Sequence, residues 1–392
     1  MQQTEQNEQI TNPQFFVLLT FMMIGTTFLT MPTSLATRVM QDGWWIPIVS
    51  SVLAFPFLYM IILFGRYFPN LSLPEILVYL FGKWVGKALL LLVLLLPFYN
   101  SAGHTFFFTS FMNTHFFRNT PEDIIVVALV FVLIFGACLG IEVLGRAAVI
   151  SFVPFILFLI VLTGFSAGDV DTRFISPMLD QQPMQYLDAI FLFTSKIIVT
   201  KLVLMLFFYP KTIEKKAKAE KYVYIAYFFS CFVLFLTTFM AITILGPDLT
   251  KVKIFTGFSI GQRVAIGDII ERLESLLVFM FFLCFYFMNA LYLYILSVGT
   301  AFIFNVKNIK PIVVSLGTLH MYFARTEFNN LIEDTAYYFY GSFFFIIPAC
   351  YVLPFVMFTL TLMKRRKEGL SLYPKRTEQK KETESASYEN HS

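Results

Sequence analysis

The chain has 392 residues, 57% of them hydrophobic and only 14% charged, where a soluble domain carries roughly a quarter charged residues. Water is therefore not its main solvent. The formal net charge of +4 is modest and leaves no nucleic-acid footprint, and a β-barrel is excluded because it needs alternating segments of about 10 residues while runs such as Leu89 to Pro97 do not alternate.

Residues 1–13 are read as a cytoplasmic N-terminus. The first apolar run is longer than a signal-peptide core and lacks a small-residue cleavage site, so it is read as a retained helix. Apolar stretches of about 20 residues then recur to residue 363, each long enough to cross a hydrocarbon core as a helix. They predict spans at about 14–38, 44–66, 85–113, 122–141, 147–166, 186–209, 220–246, 273–304, 309–328 and 337–363, roughly ten in all.

Lysine and arginine gather after the even-numbered spans: Arg66, Lys83 and Lys87, then Lys211, Lys215, Lys216, Lys218 and Lys221, then Lys307 and Lys310, and at the end Lys364 to Lys367. The opposite loops, Asp169 to Asp180 and Glu327 to Asp334, are acidic or mixed, which assigns both termini to the cytoplasm. Residues 364–392 are polar and read as a disordered cytoplasmic tail.

The expected fold is thus an all-α polytopic membrane protein with about ten transmembrane helices. Ten spans divide into five plus five, and an odd-numbered repeat inverts its second copy, an arrangement used by transporters. In such folds helices 1 and 6 are broken near mid-membrane. Span 1 offers Gly25, Thr26 and Thr27, where glycine loosens the helix and two hydroxyls can replace lost backbone partners. Span 6 offers Thr194, Ser195 and Lys196, then Thr200 and Lys201.

Counting depth at about 1.5 Å per residue places Tyr99, Asn100 and Ser101 of span 3, and Tyr286 and Asn289 of span 8, at the same level. Gly25, Thr26, Thr27, Tyr99, Asn100, Ser101, Thr194, Ser195, Tyr286 and Asn289 form the expected ligand-binding set. Lys196, Lys201 and His104 are candidates for a charge or coupling role, because an intramembrane charge is costly and usually functional; snorkelling to an interface is the competing account for the lysines. His104 continues with Thr105 and Thr109 along one flank of span 3, which either lines an entry path or supplies interhelical hydrogen bonds. The sequence contains no phosphate loop, zincin helix or nucleophile elbow, and Cys138, Cys231, Cys284 and Cys350 show no metal or disulfide spacing. No enzymatic activity, metal or cofactor is expected.

Four stretches carry a family likeness: Met23-Ile-Gly-Thr-Thr-Phe-Leu29; Phe68-Pro-Asn-Leu-Ser-Leu-Pro-Glu-Ile76 with Leu80-Phe-Gly-Lys83; Gly140-Ile-Glu-Val-Leu-Gly-Arg146; and Arg263 through Ile270-Glu-Arg-Leu-Glu274. In this order the chain resembles the spore germination permease family, the B subunit of bacterial germinant receptors, within the amino acid–polyamine–organocation transporter superfamily. The resemblance implies a multi-pass protein of the spore inner membrane that works with A and C partner subunits and binds a small-molecule germinant such as an amino acid or nucleoside. It carries the glycine of a broken first helix onto Gly25. It also carries loop charges onto Glu142, Arg146, Glu271, Arg272 and Glu274, which are read as structural or partner contacts. One departure is plain, since the family often has a Gly-aromatic-Glu element in span 6 and this chain has Lys201-Leu-Val-Leu before Tyr209-Pro210.

The leading expectation is a germinant receptor subunit with a site between helices 1, 3, 6 and 8. A secondary amino acid transporter and an ion-conducting subunit are the alternatives.

Overall fold

Local capping chemistry sets where the helices of this computed structural model begin; it describes residues 8–263, 273–327, 330–331, 333, 337 and 341–368. Helix α1 (Asn12–Ile24) starts after Thr11, whose amide donates to Gln14 Oε1 at 2.8 Å, and α5 (Leu73–Phe81) after Ser72, whose amide donates to Glu75 Oε2 at 2.7 Å. In each case a side chain three residues on satisfies an amide that the helix leaves open. Burial alone would raise the Glu75 carboxyl, but hydrogen bonds from Lys211 and from Ser72 hold it below the usual carboxylate range.

Between these two lie α2 (Thr27–Val39), α3 (Ile46–Leu53) and α4 (Phe55–Tyr67), the last two meeting at a 44° bend. There follow α6 (Lys83–His115), α7 (Glu122–Cys138), α8 (Gly140–Ser166), α9 (Pro183–Phe193), a π-helical turn Thr194–Val199, α10 (Thr200–Met205) and α11 (Lys216–Met240). Then come α12 (Pro247–Val252), α13 (Thr256–Arg263), α14 (Leu273–Phe304), α15 (Lys310–Thr326) and a C-terminal helical segment, Phe343–Lys367.

The expectation of about ten transmembrane helices is not met. Among the described residues six helices are long and apolar enough to cross a membrane: Asn12–Trp44, Lys83–His115, Gly140–Asp169, Lys216–Leu245, Ser275–Phe304 and Phe343–Lys367. Counting the bent pair α3 and α4 as one span makes seven. Two of the lost spans end too soon, since α7 and α15 have 17 residues each, roughly 25 Å at 1.5 Å per residue against a core of about 30 Å. Expected span 6 carries Asp188, Lys196 and Lys201 in one stretch.

The five-plus-five inverted repeat falls with the count, and no equal division of the described helices replaces it. Nor is span 6 broken. From Phe193 at φ −60°, ψ −49° to Thr200 at φ −59°, ψ −45° its flanks stay in the right-handed helical region, and the irregularity is the π-turn between them. The loop positions Glu271 and Arg272, the Glu274 side chain and the tail beyond residue 368 lie outside the described residues.

Helix α1 is apolar all round, which suits a helix with no water-facing side. Every residue from Val17 to Ile24 is buried, and the helix packs against α8, α11 and α14. The outer surface is also apolar: Phe131, Ile150, Val153 and Phe344 are 70% to 79% exposed, an arrangement suited to lipid contact.

Ion pairs and backbone contacts tie the ends of this bundle. Arg66 at the end of α4 forms a two-pronged pair with Glu220 of α11, at 2.9 and 2.8 Å, in a half-buried setting where fork geometry counts. Ile10 bridges to Ile213 in parallel, and Glu8 Oε2 accepts from the Ile141 amide at 2.9 Å. Removing one partner of the Arg66–Glu220 pair strands the other charge. Arg66→Ala is expected to destabilise the protein by about 3 kcal/mol, read as a lower unfolding temperature in detergent, while the double variant Arg66→Met with Glu220→Leu recovers most of it. Equal stability of Arg66→Ala and the wild type would show that the pair is dispensable.

Candidate functional site

Helix 1 stops at Gly25 and restarts at Thr27. The Gly25 backbone lies at φ 48°, ψ −139°, a region that side chains with a Cβ rarely adopt. A Cβ there would also overlap the Met288 Sδ of α14. The Gly25 amide still donates to Phe21 O at 2.8 Å, and the Thr27 hydroxyl donates to the Ile24 carbonyl, supplying a partner where the ladder is interrupted. Thr26 and Thr27 are both buried. The start of α2 presents a helix N-terminal end at the break, with the Leu29 amide turning back to Thr26 O at 3.3 Å.

Met288 is the meeting point of the break with α10. The Lys201 Nζ lies 3.8 Å from Met288 Sδ and donates to the hydroxyl of Tyr292, one turn further along α14. Its ammonium also sits 4.9 Å from the centre of the Tyr292 ring, within cation–π range. Lys201 is 3% exposed, and among the described residues no carboxylate pairs with it.

Helix α6 closes the other side. The His104 ring stacks on Tyr292 at 6.2 Å and 25° and lies within hydrogen-bonding reach of Asn289. Ser101 donates to Asn289 Oδ1 at 2.9 Å, while Asn289 Nδ2 donates to Phe285 O at 2.9 Å. One turn along, Thr105 shares a 2.9 Å hydrogen bond with His320 of α15. Through Met288, Asn289 and Tyr292, α14 thus links the Gly25 break to Lys201 of α10 and to Ser101 and His104 of α6, with Thr26 and Thr27 buried beside the break.

The remaining sequence candidates do not join it. Tyr99 stacks on Phe345 at 5.4 Å, Ser195 hydrogen-bonds Tyr351 at 2.7 Å, and Lys196 donates to Ser342 beneath the Phe343 ring, so these three face the C-terminal helix. Asn100 donates to its own helix at Leu96 O, 2.8 Å away. The Thr194 hydroxyl is buried and meets no partner among the described residues. Tyr286 projects its hydroxyl against Gly136 of α7, nearly opposite Met288 around the axis of α14.

Met288 and Tyr292 were not among the sequence candidates. A stripe at 288, 289 and 292 on one face of α14 is the signal that points to them, but a methionine and a tyrosine in an apolar run read equally as packing.

The spore permease family model, described as "spore germination protein", matches residues 9–331. The chain belongs to this spore germination protein family. It is 26% identical over 308 residues to "Spore germination protein KB" of Bacillus subtilis (strain 168), covering 78% of this chain and 81% of the relative. It is 23% identical over 355 residues to "Spore germination protein A2" of the same organism, covering 88% and 93%. Among solved structures it is similar to one described as the substrate-bound outward-open state of a Na+-coupled sialic acid symporter, with a TM-score of 0.68, 12% identity and coverage of 90% of this chain and 79% of that one. At that identity the likeness is one of fold, and the fold is transporter-like. This family member is a multi-pass membrane protein of permease class.

Replacing Gly25 tests the break directly. Gly25→Ala is expected to cost about 1–3 kcal/mol from the backbone conformation alone, with further cost from Met288. Adding Met288→Ala recovers only the steric part, read as the unfolding temperature in detergent. A Gly25→Ala protein as stable as the wild type would show that the chain does not need its positive φ.

Proposed function

We propose that this family member is a membrane permease that binds a small polar solute at the Gly25 break and carries it across the bilayer. The observation that supports the reading is the convergence of buried polar groups from α6, α10 and α14 on the buried interruption of helix 1. In lipid, non-helical backbone is tolerated where protein buries it or a cavity needs it, and a helix end at that depth is a ready site for a ligand's charged group. The amides at Thr26 and Thr27 take the solute's carboxylate, and Asn289, held by Ser101, selects the rest of the molecule. The transporter-like fold suits this reading.

A second reading draws on the named relatives, both of them spore germination proteins. On that reading the solute is a germinant, the chain sits in the spore inner membrane with A and C partner subunits, and binding signals rather than transports. Uptake of radiolabelled amino acids into vesicles holding the purified protein separates the two: saturable accumulation supports the permease, and binding without accumulation supports the receptor. Absence of both would remove the solute site.

Both readings place the termini in the cytoplasm, on the strength of the basic loops. A cysteine introduced at Ser176 is expected to react with an impermeant thiol reagent from outside, and one at Lys216 from the cytoplasm; the reverse pattern overturns the orientation. Asn289→Ala is expected to raise the half-saturating solute concentration about tenfold, equivalent to 1.4 kcal/mol, with the protein's abundance unchanged. Loss of abundance with unchanged apparent affinity would make Asn289 a packing residue.

A further inference from the structure

Two lysines stand on the span that carries the π-turn, and among the described residues no carboxylate pairs with Lys201. A π-turn closes its hydrogen bonds five residues apart; Lys196 lies within Thr194–Val199 and faces the C-terminal helix, and Lys201 lies just beyond it and faces α14. The Thr200 hydroxyl donates to Ser195 O at 2.8 Å and supports that geometry. Both lysines are buried, at 4% and 3% exposure.

The ionisable neighbours that act on His104 across the low-dielectric interior are Lys201, Lys196 and His320. Among the described residues the thiol of Cys350 also acts on Lys201. The region therefore gathers groups that are neutral or positive. An ammonium in such a place costs several kcal/mol unless an anion meets it, and a phenol hydroxyl, an aromatic face and a thioether are weak substitutes for a carboxylate.

Geometry shows where the anion would come from. A single thioether, that of Met288, separates the Lys201 ammonium from the Gly25 break, where α2 begins, and a helix N-terminal end favours an anion. Methionine is unbranched and easily repacked. Its displacement would let one carboxylate contact both the ammonium and the helix end.

We propose that Lys201 is the counter-charge for the solute, and that this site takes small carboxylates of net negative charge in preference to zwitterions or amines. The inference rests on the solute-binding reading above and specifies its ligand class. It also gives a reason for a lysine where a charge is expensive: Lys201 is kept for the ligand, at the cost of stability without it.

The test uses the purified full-length protein in lipid nanodiscs, with thermal unfolding as the readout of binding. Lactate and glutamate are the anionic probes, alanine the zwitterion and ethylamine the cation. The expected result is stabilisation by at least one anion, weaker stabilisation by alanine and none by ethylamine. In Lys201→Met the anion's effect falls at least tenfold in apparent affinity, while the ligand-free protein unfolds at a higher temperature than the wild type. Alanine or ethylamine binding as tightly as the anions would overturn the charge assignment and leave the solute site standing. A ligand-free Lys201→Met protein less stable than the wild type would make the lysine structural and also overturn it. No stabilisation by any probe would overturn the solute site itself. The probe series on the wild type needs no variant, so it decides the question even where Lys201→Met fails to accumulate.

Discussion

A lipid-embedded chain must satisfy its own backbone, and helix 1 of this protein violates that rule at its centre. The interruption at Gly25 survives because protein buries it: α8, α11 and α14 pack around α1, every residue from Val17 to Thr27 except the side-chain-less Gly25 buries its side chain, and the Thr27 hydroxyl takes up a carbonyl that the ladder has dropped. The rest of the architecture can be read outward from this one place. The helix that must be shielded is the most buried span, the helices that shield it are long, and the shorter α7 and α15 pack against each other at the periphery.

The second helix with an irregular backbone solves a different problem. Instead of breaking, the stretch from Pro183 to Met205 widens through a π-turn, which keeps every residue helical while shifting the side chains that follow. Ser195 and Lys196 are thereby aimed at the C-terminal helix, and Lys201 at α14. One irregular span presents an open helix end, the other a set of side chains, and α14 brings Met288 and Tyr292 between them.

The sequence made some of this legible. The break was readable because glycine followed by two threonines is a local statement: the glycine allows the conformation and a hydroxyl repairs it. Helix starts at Thr11 and Ser72 were equally local. The number of membrane-crossing helices was not, because hydropathy measures how long a run is apolar and not where its helix ends; α7 stops at Cys138 and α15 at Thr326, each a few residues short of the length a crossing needs. Depth counting placed Asn289 and Ser101 together but could not tell which way a side chain points around the axis. Tyr286 has a suitable depth and the wrong direction, whereas Tyr292 lies nearly two turns further on and faces the lysine.

The segment ahead of α1 ties the N-terminal end of the broken helix to the rest of the bundle. Ile10 is stitched to residues 212–214 by two backbone hydrogen bonds, while Glu8 holds the Ile141 amide and the Tyr294 hydroxyl. Gly140, at φ 85°, leaves the room that the Glu8 carboxylate fills. These few residues therefore fasten the α10–α11 turn, the α7–α8 turn and α14 to the same short strap, which continues without interruption into α1. Any tilt of α1 would have to drag two otherwise remote turns and α14 with it, so the N-terminal half of helix 1 is strapped to the bundle and is not a loose arm.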